Sequence, residues 1–178
     1  MRPVLHLVLL ALCGGCATAI ESGAMTPTTL AMATRSLGSV RIEVSGGRQT
    51  NPFWMPEIED DEFADAVAAA LRGARLFDTF DAGAQSDFVL KAHLMSVAYP
   101  KGGIENRSSV VAEWRLVERA TGRCVFFDQT AGRATTTLSD AIVGDTRFRL
   151  AMSLAAAECI RRAVERMEVA RLPATRTS

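Results

Sequence analysis

The run Val110-Val111-Ala112-Glu113-Trp114-Arg115-Leu116 leads through Ala120-Thr121-Gly122 into Cys124-Val125-Phe126-Phe127-Asp128-Gln129. Val110, Ala112, Trp114 and Leu116 alternate with Glu113 and Arg115, a period of two that puts apolar side chains on one face of a strand and charges on the other. Ala120-Thr121-Gly122 is a tight reversal, because glycine adopts the backbone twist that a short connection needs. The segment therefore predicts a β-hairpin with one apolar face. Such a face must be covered, and the flanking segments supply the strands and helices to do it.

Upstream, Phe88, Leu90, Ala92 and Leu94 fall on one side of a strand spanning Phe88 to Val97, with Lys91 and His93 opposite; Tyr99 to Arg107, containing Pro100, Gly102 and Gly103, makes the turn. Val40, Ile42 and Val44 alternate with Ser39, Arg41 and Glu43 in an earlier strand that Gly46-Gly47 ends. Between these two strands lies a loop from Arg48 to Glu57, then a helix whose apolar stripe is Phe63, Val67, Ala70, Leu71 and Ala74. Glu59, Asp60, Asp61 and Glu62 stand at its start, where the dipole favours negative charge and Asp caps free N–H groups. Gly73 weakens its last turn, and Leu76 and Phe77 tuck onto the core before a loop from Asp78 to Asp87. Downstream, Asp145 is expected to cap a helix lined by Phe148, Met152, Ala155, Ala156, Cys159, Ala163 and Met167, with Arg161, Arg162, Glu165 and Arg166 facing water. The order β-α-β-β-β-α gives the class α+β: a four-stranded, mainly antiparallel sheet with two helices packed on one face. The first two strands, if neighbours, are parallel.

The N-terminus reads as an address. Arg2, the apolar run Val4 to Leu12 and the small residues before Cys16 match a lipoprotein export signal, and the run is too short to span a bilayer. Gly14 and Gly15 let a peptidase close around the chain, and Cys16 is then the lipidation site; Cys13 stands where leucine is usual, with Leu12 one step earlier. Ordinary cleavage after Ala19 is the alternative, since Ala17-Thr18-Ala19 has the small-x-small form, and it would leave a soluble periplasmic protein. The resulting division is a signal over 1–15, a lipidated and flexible tether over 16–36, one domain over 37–170 and a disordered tail over 171–178. No internal repeat and no later membrane-spanning run is seen.

Twenty basic residues balance twenty acidic ones, with no basic stripe among aromatics, which argues against nucleic acid as a partner. Cys124 and Cys159 remain as a pair in an oxidising compartment. One disulfide and two buried thiols are the two readings. No metal is expected, since the pair lacks a His or carboxylate at ligand spacing. No cofactor is expected either, because Gly46-Gly47 and Gly102-Gly103 lack a phosphate-loop pattern. The acidic run Glu57 to Glu62 lacks the alternating ligands and the glycine of a calcium loop. His93 has no nucleophile or positioned partner at recognisable spacing, so no catalytic residue is assigned.

Two features point to a partner surface. Trp54, in its proline-bounded loop, either folds over the core or stands out as an anchor. On the outward sheet face, Val97, Val111, Val117 and one of Phe126 or Phe127 sit among Lys91, His93, Glu113 and Arg115, a mixture that protein partners use.

Ser45 to Trp54, Ala120 to Phe126 and Ser139 to Ala151 together resemble a family of short, poorly characterised bacterial lipoproteins, and the likeness covers nearly the whole mature domain. In outline the chain is also similar to envelope accessory lipoproteins with a small α/β domain. The resemblance implies outer-membrane anchoring, because Ala17 rather than Asp follows Cys16. It implies an envelope protein partner or self-association, and only Cys16 inherits a role. Some members carry the label UDP-N-acetylglucosamine acyltransferase; enzymes of that name are built on hexapeptide repeats, and this chain contains none. Three functions stand as expectations: a non-catalytic envelope binding module, a carrier of an apolar ligand in a cavity left by Ala155, Ala156 and Ala163, and an acyltransferase requiring His93 near a carboxylate.

Overall fold

A computed structural model describes residues 18–51, 55–80, 86–101, 103–170 and 172. The chain forms an α+β fold with one mixed sheet of five strands and three helices. In order these are α1 (Ser22–Met25), β1 (Ser39–Ser45), α2 (Asp60–Gly73), β2 (Thr79–Phe80), β3 (Phe88–Ala98), β4 (Asn106–Glu118), β5 (Cys124–Thr136) and α3 (Gly144–Val169). The sheet order is β2-β1-β3-β4-β5. Strands β3, β4 and β5 form an antiparallel meander, whereas β1 runs parallel to both β2 and β3.

The four expected strands and two expected helices are present. The expected count is short by β2, whose two residues carry no readable period, and by α1, a single helical turn. Val40, Phe88, Leu90, Ala92, Val110, Ala112, Trp114 and Leu116 all face one side and are fully buried. Helices α2 and α3 cover that side through the stripes the sequence predicts, including Phe63, Val67, Leu71, Met152, Cys159 and Ala163. Phe63 and Trp114, with ring centroids 6.0 Å apart, join α2 to the middle of the sheet.

Three expectations are corrected. The segment 18–36 is not a tether: Ile20 and Met25 are buried, Ile20 N–H donates to Glu57 O at 3.0 Å, and Ala33 N–H donates to Ala74 O at 2.7 Å. Its apolar residues follow neither helical nor strand spacing because they plug the domain one at a time. The domain also continues to Leu172, which is buried and accepts a hydrogen bond from Arg35; the remainder of the expected tail lies outside the described residues. Asp145 does not cap α3. The cap position is Val143, without a side-chain bond, and Asp145 sits in the first turn, paired with Arg149 at 3.0 Å.

The acidic run before α2 likewise makes no side-chain cap. Its carboxylates clamp neighbouring backbone instead: Asp60 accepts from Gly47 N–H at 2.7 Å, Glu59 from Thr50 N–H at 2.8 Å and Glu62 from Ser22 N–H at 2.6 Å. These charge-assisted bonds hold the β1–α2 loop and the N-terminal segment against the helix start.

Candidate functional site

With both long helices on one face, the other face of the sheet has no element over it among the described residues. Strand register sets its composition. One row across it reads Ser45, His93, Glu113, Gln129, and the next reads Glu43, Lys91, Arg115, Phe127. Glu43 pairs with Arg41 at 3.3 Å and with Lys91 at 3.6 Å; Arg115 pairs with Glu113 at 2.8 Å and lies 5.2 Å from the Phe127 ring centroid. Val111 and Val117 point outward on either side of Glu113 and Arg115 along β4, half-buried by their neighbours. Phe127 is the outward phenylalanine and is 60 % exposed, while Phe126 turns to the core.

Val97, expected on this face, lies on the other. The β3–β4 register shifts between Leu94 and Ser96, so Val97 pairs with Val110 and packs against the core. A bulge adds one residue, and with a side-chain period of two, one residue reverses every position after it. Trp54 and Cys16 lie outside the described residues.

Cys124 and Cys159 are both free thiols, the first exposed and the second buried. The Cys159 sulfur is 3.2 Å from Thr130 Oγ1, and Thr130 is about 20 Å along β5 from Cys124 at roughly 3.3 Å per residue. That separation is far beyond disulfide reach. Burial pushes the Cys159 thiol up, against the hydrogen bond it shares with Thr130. The cysteine belongs to a buried chain of bonds: Trp114 Nε1 donates to Thr130 Oγ1 at 2.8 Å, and Thr130 Oγ1 donates to Cys159 O at 2.9 Å.

That chain marks where α3 comes down onto β5. A methyl group on Gly132 would stand 1.9 Å from Ala155 O and 2.4 Å from Cys159 N. The fully buried Ala155, Ala156 and Ala163 serve this close approach, so backbone contact fills the space that an apolar ligand would need.

A pairing that sequence reasoning missed is Ser45 Oγ with His93 Nδ1 at 3.0 Å, since the two residues lie 48 apart in the chain. Glu113 occupies the next position in that row, but its carboxylate is engaged by Arg115. A cleft of about 240 Å³, lined by Gly46, Arg48, Met95 and Tyr99, begins at Gly46 next to the pair and includes neither Ser45 nor His93 in its lining. The pair thus stands on the open face, outside the lining of that cleft. Among the described residues, no group of three His, Cys, Asp or Glu side chains is placed to hold a metal ion.

No protein-family model matches the chain, and no curated protein matches it. Solved structures share its fold. A hypothetical protein from Chlamydia trachomatis superposes with a TM-score of 0.55 at 13 % identity, over 75 % of this chain and 96 % of that one. A Xanthomonas campestris protein of family DUF330 gives 0.53 at 13 %, over 79 % and 90 %. A minor lipoprotein from Acinetobacter baumannii gives 0.50 at 10 %, over 78 % and 96 %. The architecture is therefore shared with at least one bacterial lipoprotein, and it is not a repeat-built β-helix.

Proposed function

We propose that this protein is a lipid-anchored, non-catalytic accessory module of the bacterial envelope. It is acylated on Cys16, faces the periplasm from the outer membrane, and binds a protein partner or a second copy of itself through its open sheet face. The observation that carries the reading is that face. It combines aliphatic and aromatic area at Val111, Val117 and Phe127 with the charged pairs around Glu43, Lys91 and Arg115, a mixture of apolar and charged groups that protein partners use.

Two backbone contacts just past Cys16 support anchoring there. Arg149 Nη1 donates to Thr18 O at 3.0 Å and to Ala19 O at 3.4 Å. Cleavage before Cys16 keeps both acceptors. Cleavage after Ala19 would remove them.

The test is crosslinking in intact cells followed by pull-down of the full-length protein. Val111→Lys with Val117→Lys, shown folded by circular dichroism, should abolish the crosslinked species; undiminished association would refute the interface. Intact-mass analysis of the mature N-terminus reads the acyl chains directly.

A further inference from the structure

The chain leaves β3, enters β4, leaves β5 and begins α3 at one end of the molecule. At that end three large aliphatic side chains stand in solvent: Ile104 is 70 % exposed, Ile142 87 % and Val143 63 %. They come from two loops that a single side chain ties together. Arg147, only 7 % exposed, donates from Nη1 to Ala141 O at 2.8 Å and to Ile142 O at 2.9 Å, and from Nη2 to Gly103 O at 3.0 Å. A buried arginine bonded to three carbonyls fixes both loops, so the aliphatic groups form a set array. At the same end, between β3, β4 and β5, opens a groove of about 540 Å³ whose charged lining is Lys101, Glu105, Arg107 and Arg133. Glu105 pairs with Arg107 at 2.8 Å. Among the described residues Lys101 and Arg133 make no ion pair.

We propose that this end of the domain seats directly in a bilayer surface, with Ile104, Ile142 and Val143 entering the acyl-chain boundary and the basic groove taking anionic headgroups. The inference rests on the reading of Cys16 as the acylated residue. Chain length then carries it. Only Ala17 separates Cys16 from Thr18, a span of about 7 Å when fully extended. Thr18 in turn is held by Arg149, whose guanidinium reaches back to Asp145 in the first turn of α3. A cysteine whose acyl chains lie in the membrane therefore brings the start of α3, and the loop before it, to the headgroups. Exposed aliphatic residues at the same end as unpaired cations match that environment, since apolar burial and attraction to anionic lipid add.

The experiment uses the acylated protein in a Cys124→Ser background, reconstituted in vesicles of phosphatidylethanolamine and phosphatidylglycerol. An environment-sensitive fluorophore is attached at Ile142→Cys and, separately, at Gln129→Cys on the open sheet face. The expected result is a blue shift with about a twofold rise in emission at 142 on vesicles, weakened when phosphatidylcholine replaces phosphatidylglycerol, with position 129 unchanged. No change at 142 on vesicle-bound protein overturns the proposal. So does a shift at 142 that depends on protein concentration without vesicles, which would identify a second copy as the occupant, or one produced by a soluble protein partner. A parallel sample carries Cys16→Ser and an N-terminal hexahistidine bound to nickel-chelating lipid. If mass analysis finds Cys16 unmodified, the anchoring reading fails by itself, and the probe at 142 in this tethered form decides the seating proposal independently.

Discussion

Gly132 and Ala155 meet backbone to side: a Cβ built on Gly132 would lie 1.9 Å from the carbonyl oxygen of Ala155. Strand β5 and helix α3 are thus as close as two elements can pack, and the collision would be with backbone, which cannot rotate away. Gly132→Ala must push the whole helix off the sheet and break the Trp114–Thr130–Cys159 chain of bonds. The expected cost is about 3 kcal/mol or more, at the upper end of overpacking effects. The urea midpoint of the purified domain measures it, and a loss below about 1 kcal/mol would mean that α3 and β5 are not in backbone contact.

The N-terminal segment contributes to stability rather than trailing from it. Met25 is fully buried, and Met25→Ala should cost about 2–4 kcal/mol, the usual range for emptying a core site. A free tether would show no effect. Thermal unfolding of the two forms separates these outcomes, and limited proteolysis should leave residues 18–36 uncut.

Periodicity explains which parts of the fold were legible. β3 to β5 and both long helices bury one face each, so their residues repeat at two or at about 3.6, and the pattern can be read without coordinates. Ile20 and Leu37 are buried from irregular chain and Met25 from a single helical turn, where nothing repeats. The outward valines of β4 were legible for the same reason, but Val97 was not: the bulge after Leu94 is a backbone feature with no residue signature. The Ser45–His93 contact depends on the parallel register of β1 with β3, a matter of topology.

Helix α2 ends one glycine out of place. Arg75 adopts φ 55°, with Arg75 N–H bonded to Arg72 O at 3.0 Å and Leu76 N–H to Leu71 O at 3.1 Å. This is the double hydrogen-bond ending whose left-handed position favours glycine, and here an exposed arginine occupies it while Gly73 lies inside the helix. Arg75→Gly should stabilise by about 1 kcal/mol. Gly73→Ala should add about 0.5–1 kcal/mol, since its Cβ would meet only Leu30 Cδ1 at 3.8 Å. Chemical denaturation of the single and double variants checks both, and the double variant reads the coupling expected between sites this close.

Acid should loosen the outer side of α3 before the core responds. Arg161 binds Glu158 through Nε and Nη2, each at 2.8 Å, and Arg162 adds a bond at 2.6 Å. The hydrogen bond from Arg161 is the main cause holding the Glu158 carboxyl at about 2, down from 4.5. Because the folded value is depressed, the stabilisation is fully present above about pH 4.5 and disappears as pH falls toward 2. Glu158 lies at the surface with both arginines partly solvated, so its contribution is below about 1 kcal/mol and is screened by salt. Glu158→Gln should therefore lower stability slightly at pH 7 and not at pH 2, and 1 M salt should shrink the difference at pH 7. Paired urea titrations at the two pH values measure it, and a difference that persists at pH 2 would assign the effect to packing instead of charge.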